Sequence, residues 1–423
     1  MSVARKKNKR HRHFPSSKGS GQRIPMCSAI TAVMLIATYV LENIAYPIGM
    51  DTRAIARVEA FRQYWRPDND IVDDNVLFLN VSHDKTLIPY YPDADTSSTT
   101  PGYNVITDRE KLLRFLQLAE KSDYKYLFLD IRMEKGYESP VDSALVEQLS
   151  RMKNVSLAKH WNVEEDCLYP MIDKRLEPLA SYCDFDEQKS RVGFFRYKYL
   201  QNGEPSIALK MYQSVAGRDV KRHGAIFADG SRLCHNSHFL TFKKDAGRNI
   251  IDDGEINGAQ FAKYSYYEMG SFMLDDSIPH NIKMLMMENQ CVIVGDFEND
   301  MNSTYAGYQP GVYIHYQGFR SLMNHQHFVR WWYTLLMAAV YFILLYRIFS
   351  PKERIPKWKI WIVNHLPTVD LLIESVKYTI IVSVIVLTLY FFCNIAYNIF
   401  VPSTVLGILS HIINLKNRKP AVS

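Results

Sequence analysis

The stretch VIVGDFENDMNSTYAGYQPGVYIH, residues 292–315, contains the features that decide the fold of this chain. It opens with an apolar run, Val292–Gly295, whose composition is that of a buried β-strand. An acidic loop follows and ends in a Pro310-Gly311 turn. The chain then reaches Trp331-Trp332, where a long apolar segment begins. A loop at the edge of a sheet therefore leads into a predicted membrane span.

Three segments of the 423-residue chain lack charged side chains over lengths that suit membrane crossing. A helix needs about 20 mostly apolar residues to cross the hydrocarbon layer. We therefore predict membrane-spanning helices within residues 24–48, 331–349 and 378–415. Their uncharged cores are Ile24–Leu41, Trp331–Tyr346 and Tyr378–Leu415.

The basic amino-terminal tail sets the predicted orientation. Residues 1–23 contain eight Lys or Arg and no acidic residue, and such flanks stay in the cytoplasm. A cleavable signal is the alternative, but no small-residue cleavage pattern follows Leu41, so we predict an uncleaved signal anchor. The tail is expected to contact anionic membrane lipids. Because its charge exceeds the chain's net charge of +6, nothing favours a nucleic-acid-binding domain elsewhere.

The last apolar segment is too long for one span. Residues 378–415 would form a helix of about 57 Å, against a hydrocarbon layer of about 30 Å. We predict a break between Asn394 and Pro402, which gives a helical hairpin and four spans in total. A single span with an amphipathic tail is the alternative. The basic loop 350–377 and the tail 416–423 favour the hairpin, because both are then cytoplasmic.

Residues 50–329 are predicted to form one large domain outside the cytoplasm, at the bacterial inner (plasma) membrane. Apolar strands at Val76–Val81, Tyr126–Ile131 and Val292–Val294 alternate with amphipathic helices, which indicates a parallel sheet covered on both faces. The predicted fold class is α/β: a mostly parallel sheet covered by helices in this domain, plus a bundle of transmembrane helices. Further predicted elements are a strand at Val155–Ala158, a hairpin that includes Val192–Tyr199, and helices at Asp108–Lys121, Ser143–Met152, Ser206–Ser214 and Ile282–Met287.

The cysteines of this domain permit disulfides. Cys167, Cys183, Cys234 and Cys291 would lie in an oxidising compartment, and four cysteines allow three pairings. The alternative is that some are small buried thiols, and Cys291, which directly precedes an apolar strand, is best explained in this way.

Acidic residues follow or end three of the predicted core strands. Asp84 follows the first strand, Asp130 ends the second, and Asp296 and Asp300 follow the last. Ligands of open parallel sheets bind beyond the carboxyl ends of the strands. We therefore predict that Asp84, Asp130 and Asp300 are neighbours that bind a small ligand or cation. The alternative is that they close turns through their own side chains, as Asp and Asn commonly do.

Common catalytic and metal-binding motifs are missing from the sequence. We find no G-x-S-x-G, no Walker-type G-x-x-x-x-G-K, no H-E-x-x-H and no kinase H-R-D set. Cys234–His238 contains metal-capable groups, but no second Cys/His cluster completes four ligands. We therefore predict no catalytic residue, no metal site and no cofactor, and we leave open whether the chain is an enzyme.

The order of these features resembles the second type of CHASE extracellular sensory domain, here called CHASE-two. That family shows a strand with an Asp-containing turn, an apolar strand ending in Asp, a D-x-x-L helix, and a closing strand, Gly, Asp-bearing loop and Pro-Gly-Val-x-Ile-His. The matching segments here are Val76–Asp84, Leu127–Asp130, Asp142–Leu145 and Val292–His315. The resemblance implies a membrane-anchored sensor whose Pro310-Gly311 turn returns the chain from the last strand into a helix, Gln317–Asn324, that leads to the next span.

Two departures from the family affect the functional interpretation. The Trp-Pro-Arg motif expected after the first strand is absent, which leaves the ligand undetermined. Family members usually end in a cytoplasmic cyclase, kinase or phosphatase, whereas the sequence to Ser423 holds none. We therefore predict a sensor or interaction protein that signals through a separate effector or membrane partner, with a homo-oligomer possible. The alternative is an extracytoplasmic enzyme or assembly scaffold that reuses the fold.

Overall fold

A computed structural model of the chain describes residues 20–44, 50–65, 75–90, 102–162, 165–184, 196–201, 203–242, 251–256, 259–350, 357–393, 395 and 398–416. Most of the predicted basic tail, part of the 350–377 loop and nearly all of the 416–423 tail lie outside these residues. The chain forms two compact units. The sheet unit comprises Glu42–Val329 and Leu387–Ala396, and the membrane unit comprises Met1–Leu41, Arg330–Val386 and Tyr397–Ser423.

The described residues form helices and many short strands. The helices are α1 (Ser20–Ile44), α2 (Met50–Trp65), α3 (Arg109–Ala119), α4 (Asp142–Arg151), α5 (Ile207–Ala216), α6 (Met269–Leu274), α7 (His280–Met287), α8 (Gly311–Met323), α9 (Trp331–Phe349), α10 (Lys357–His365), α11 (Pro367–Cys393) and α12 (Phe400–Lys416), with a 3-10 helix at Lys174–Leu179. The strands are β1 (Val76–Asn80), β2 (Lys85–Tyr90), β3 (Gly102–Thr107), β4 (Tyr126–Leu129), β5 (Val155–Lys159), β6 (Trp161–Asn162), β7 (Cys167–Leu168), β8 (Ala180–Tyr182), β9 (Arg196–Lys198), β10 (Leu200–Gln201), β11 (Glu204–Pro205), β12 (Val220–His223), β13 (Ile226–Asp229), β14 (Arg232–Cys234), β15 (Ser237–Phe239), β16 (Ile251–Ile256), β17 (Ala259–Tyr264), β18 (Tyr267–Glu268), β19 (Cys291–Gly295), β20 (Met301–Thr304) and β21 (Gly307–Pro310).

A six-stranded sheet organises the sheet unit. Its order is β18-β1-β19-β4-β5-β8, and every neighbouring pair is parallel, which confirms the predicted α/β class and parallel sheet. Strand β19, which comes last in the chain among these six strands, lies between β1 and β4. Its register pairs Ile293 with both Phe78 and Phe128. Strands of this kind are apolar throughout because both faces of the sheet are covered.

Alternate residues of each strand enter two separate hydrophobic cores. Leu77, Leu127 and Val292 pack with α3, α4, α6 and α7 on one face, here called the α3 face. Phe78, Phe128 and Ile293 pack with α5 and α8 on the other, here called the α8 face. This two-residue alternation fixes the register, because a one-residue slip would exchange the two faces.

Two local predictions differ from the structure, and the open question of disulfides receives an answer. The helix predicted at Gln317–Asn324 begins earlier, at Gly311, because it starts directly after Pro310. The hairpin predicted around Val192–Tyr199 is not local: its described strand β9 pairs antiparallel with the distant β15, and residues 192–195 lie outside the described residues. No disulfide joins any of the six cysteines, all of which are among the described residues, and Cys183, Cys234 and Cys291 are buried, as the alternative of small buried thiols expects.

Within the part of the chain that the structure describes, three helices are long and apolar enough to cross a membrane, namely Gln22–Asn43, Trp331–Phe349 and Pro367–Cys393. Helix α12 is shorter, with 17 residues, or about 26 Å. It folds back antiparallel along α11. Ser410 donates to Glu374 at 2.7 Å, and Nδ1 of His411 lies 2.8 Å from Asp370. The chain thus turns between Cys393 and Phe400, inside the interval where we predicted a break. The count of four spans remains a prediction.

Candidate functional site

The candidate site lies at the carboxyl edge of the parallel sheet, where the topology predicts a crevice between β4 and β19. Strand β4 leads into α4 on the α3 face, whereas its neighbour β19 leads through β20 and β21 into α8 on the α8 face. When adjacent strands send their chains to opposite faces, the loops separate and leave a crevice in which ligands of such sheets bind. The two predicted acidic residues Asp130 and Asp300 lie at this position.

Asp130 directly follows β4 and lies against the end of β19. A Cβ atom at Gly295 would stand 3.1 Å from Cβ of Asp130 and 2.9 Å from Cβ of Val312 in α8. Only glycine therefore allows β19, Asp130 and α8 to approach so closely. The carboxylate of Asp130 is partly accessible, and no described residue donates a hydrogen bond to it.

Asp300 reaches the same crevice from the loop before β20. Its backbone carbonyl accepts a hydrogen bond from Gly311, the first residue of α8, at 2.9 Å. Its side chain lies against the same glycine, because a Cβ at Gly311 would collide with Oδ2 of Asp300. Asn302 donates a long hydrogen bond of 3.4 Å to Oδ1. The carboxylate is exposed to solvent yet lies among many protein atoms, as expected at the mouth of a crevice.

Asp130 and Asp300 influence each other's ionisation. Burial raises the pKa of Asp130 to about 7, and the negative charge of Asp300 contributes in the same direction. Burial also raises the pKa of Asp300, and the charge of Asp296 adds to this effect. Carboxylates that share a site resist ionising together. A ligand that brings positive charge would relieve this repulsion, so the pair is suited to binding a cationic group.

Asp296 has a different role from Asp130 and Asp300. It accepts hydrogen bonds from Ser82 at 2.5 Å and from the backbone of Asn299 at 2.8 Å, and it pairs with Lys85 at 3.0 Å. Burial opposes its ionisation, but these donors outweigh burial and lower its pKa. Asp296 is therefore a stable anion that closes the loop after β19.

Asp84 is held by structural contacts. It is buried, its Oδ1 pairs with Lys111 at 2.7 Å, and its Oδ2 accepts from the backbone of Gly270 at 2.8 Å. A Cβ at Gly270 would lie 2.5 Å from Oδ1. The carboxylate thus fixes the first turn of α6. β1 and β4 are separated by β19, or about 10 Å at the usual strand spacing. The structure thus brings Asp130 and Asp300 together, while Asp84 has partners of its own.

Sequence inspection did not identify two residues that line the same edge. His160 follows β5, and its backbone N–H and ring Nδ1 both contact Oε1 of buried Glu134, at 2.7 and 2.8 Å. Burial lowers the pKa of His160, but the adjacent Glu134 outweighs burial and raises it. The position of His160 directly after a core strand could have indicated that it lies at this edge of the sheet. Its partner Glu134 could not be predicted, because it comes from a loop with no recognisable motif.

A further group at this edge has the ligand types of a cation site. One ligand atom from each of His83, Glu268 and Glu298 lies within 4.8 Å of the others. Asn80 donates to Oε1 of Glu268 at 2.8 Å and to Oε1 of Glu298 at 3.3 Å. His83 and Glu298 are exposed, and Nε2 of His83 lies 3.2 Å from Oε2 of Glu298, within hydrogen-bond distance, so this contact explains the arrangement without an ion.

The β20–β21 hairpin, which begins directly after Asp300, packs against the carboxyl-terminal end of α11. Strands β20 and β21 form a hairpin whose tip holds Tyr305. The ring of Tyr305 stacks on Phe239 at 5.2 Å, and Phe239 meets Tyr390 of α11 edge-on at 5.6 Å. Tyr390 donates a hydrogen bond of 2.8 Å to Glu59 of α2. All of these residues belong to the sheet unit.

Comparisons with protein-family profiles, with characterised proteins and with solved structures give no significant match for this chain.

Proposed function

We propose that this chain is a membrane-anchored, extracytoplasmic sensor of the CHASE-two kind that acts through a separate partner protein at the bacterial inner membrane. Its ligand would be a small cation or amine bound between Asp130 and Asp300. The resemblance in sequence supports the class, and the charge pattern around the first span supports the orientation.

The observation that carries this proposal is the β20–β21 hairpin. Asp300 lies just before its first strand, and Tyr305 at its tip packs in the aromatic cluster that includes Tyr390 of α11. A ligand that binds and displaces Asp300 would therefore shift the β20–β21 hairpin, which contacts the end of the candidate membrane span α11. An enzyme would have no need of this connection, whereas a sensor requires one.

The crevice also favours one specific alternative. A partly buried carboxyl with a pKa of about 7, as Asp130 has, is suited to general acid–base catalysis. An extracytoplasmic hydrolase or transferase is therefore the second candidate. The thiol of Cys183 lies near enough to Asp130 to be affected by its charge, but burial raises the pKa of this thiol and disfavours the nucleophilic thiolate. We therefore place the sensor first.

Ligand binding distinguishes these possibilities. The full chain in detergent would be heated with Ca²⁺, Mg²⁺, putrescine or spermidine at pH 8, which lies above the pKa of about 7 of Asp130. We expect at least one of these cations to raise the melting temperature of the wild type. Asp130→Asn and Asp300→Asn should abolish that rise. The control Asp276→Asn, an exposed carboxylate between α6 and α7, should keep it.

Two outcomes would count against the sensor. If no cation stabilises the wild type more than Asp130→Asn, the crevice is not a cation site. If the isolated protein converts a bound amine or other added compound with repeated turnover, and Asp130→Asn stops it, the enzyme becomes the better assignment. Mass spectrometry of the same samples would detect such products.

A further inference from the structure

Helix α2 presents large aromatic side chains that nothing in the described part of the sheet unit covers. Phe61, Tyr64 and Trp65 are 54%, 82% and 65% exposed. Their spacing of three and four residues places them on one side of the helix. The other side faces inward, since Ile55 and Glu59 are buried. An apolar surface of this kind marks a site of interaction.

This surface continues onto the end of α11. The rings of Phe61 and Phe391 are 6.0 Å apart, and the next residue, Phe392, is 67% exposed. Phe392 is the last in a stripe of exposed side chains spaced four residues apart along α11. The preceding members are Leu372, Val376, Ile380, Val384 and Thr388, and all of these except Thr388 are apolar. An exposed apolar stripe on a helix long enough to cross a membrane is typical of a lipid-facing surface.

The residue types on α2 identify the occupant. Trp and Tyr are enriched where a membrane meets water, because their rings are apolar and their N–H or O–H groups stay hydrated. Arg57 is exposed on the same helix and would contact lipid phosphates. The exposed aromatic surface of four side chains, Phe61, Tyr64, Trp65 and Phe392, amounts to about 500 Å². A stable protein interface needs about 800 Å² per partner. Lipid therefore fits this surface better than a second copy of the chain.

We propose that the exposed aromatic face of α2, Phe61, Tyr64 and Trp65, together with Phe391 and Phe392, lies in the headgroup region of the lipid bilayer. Helix α2 is then an interfacial helix that fixes the sheet unit at the membrane surface. It also holds the Glu59 carboxylate that receives the Tyr390 hydrogen bond at a defined depth. This proposal is independent of whether the crevice at Asp130 binds a ligand.

Nitroxide labels on the full chain in phosphatidylcholine vesicles test the placement. The background would carry Cys167→Ser and Cys393→Ser, because these are the exposed thiols. One label replaces Tyr64. The matched control replaces Leu274, which is 70% exposed on α6, on the α3 face of the sheet. The measured quantity is the collision rate with oxygen, which concentrates in lipid, relative to that with a water-soluble nickel chelate.

We expect the label at position 64 to collide several-fold more often with oxygen than with the nickel chelate, and the label at position 274 to show the reverse. Equal nickel access at both positions would place α2 in water and overturn the proposal. Protection of position 64 from both reagents would indicate a protein contact and overturn it as well.

A second readout needs no label on α2. Bromine-bearing phosphatidylcholine should quench the emission of Trp65, taken as the difference between the wild type and Trp65→Phe. Absence of quenching in this difference spectrum would contradict a position at the lipid surface.

Discussion

Replacing Asp130 with Asn should stabilise the protein, and increasingly so as the pH rises. Burial and the nearby charge of Asp300 raise the pKa of Asp130 from 3.8 to about 7 in the folded chain. The folded state therefore holds a proton that the unfolded state releases. For an acid with a raised pKa, stability falls as the pH rises from about 4 to about 7 and is constant above that range. Asparagine carries no charge at any pH and avoids this loss.

The size of the effect follows from the same two pKa values. A change from 3.8 to about 7 corresponds to about 4 kcal/mol at 1.36 kcal/mol for each pH unit. Solvent reaches part of the Asp130 carboxylate, so we discount this to about 2 kcal/mol. The melting temperature of Asp130→Asn should then exceed that of the wild type by about 5 °C at pH 8, with little difference near pH 4.

Differential scanning fluorimetry of the full chain at several pH values would measure this difference. Asp296→Asn is the matched control in the same crevice. The pKa of Asp296 is lowered because its hydrogen bonds outweigh burial, so the folded chain favours its ionised form. That variant should melt below the wild type at pH 8. If Asp130→Asn lowers stability equally at pH 4 and pH 8, Asp130 is an ordinary structural residue and the crevice loses its main support.

Three further results are expected. Asp84→Asn should lower stability by about 2 kcal/mol in chemical denaturation, because it weakens the ion pair with Lys111; altered cation binding at unchanged stability would instead place Asp84 in the ligand site. In a Ser410→Cys background, Gly407→Leu should make position 410 accessible to maleimide, because a Cβ at Gly407 would lie 2.8 Å from Cα of Ser375 and a larger side chain would separate α12 from α11. The control Ile408→Leu, at an exposed position, should leave the labelling unchanged. Equal labelling of the two variants would contradict the α11–α12 packing. A cysteine at position 274 should react with a membrane-impermeant thiol reagent in cells whose outer membrane alone is permeabilised. A reporter protein fused after Ser423 should be active only if it is a type that works in the cytoplasm. The opposite result in either assay would reject the predicted topology.

The layout of the sheet was accessible from sequence because it depends on local composition. Val76–Asn80, Tyr126–Leu129 and Cys291–Gly295 are apolar throughout, as strands covered on both faces must be. Their order was not accessible. Strand β19 pairs with β1 and β4 across more than 150 residues of sequence, and no local pattern encodes a pairing over that distance.

The same limit applies to the candidate site. The position of each acidic residue after a core strand predicts that it lies at the carboxyl edge of the sheet. Its ionisation, however, depends on partners from distant parts of the chain. The carboxylate of Asp84 accepts hydrogen bonds from Lys111 and from the backbone of Gly270, and no sequence pattern near Asp84 predicts the contact with Gly270. Asp130 is left without a donor because Gly295 and α8 close around it.

The central claim is that the state of the Asp130–Asp300 pair is transmitted to the end of α11. Spin labels at Tyr308, which is exposed on β21, and at Phe392 would report the distance between the hairpin and α11 by pulsed electron paramagnetic resonance. A control pair would join Leu274 to Phe392.

We expect the distance between positions 308 and 392 in the wild type to differ between pH 5 and pH 8, because Asp130 titrates between these values. Asp130→Asn should show one distance at both pH values, and the control pair should not respond. Identical distances between positions 308 and 392 in the wild type at both pH values, and with each stabilising cation, would contradict the claim.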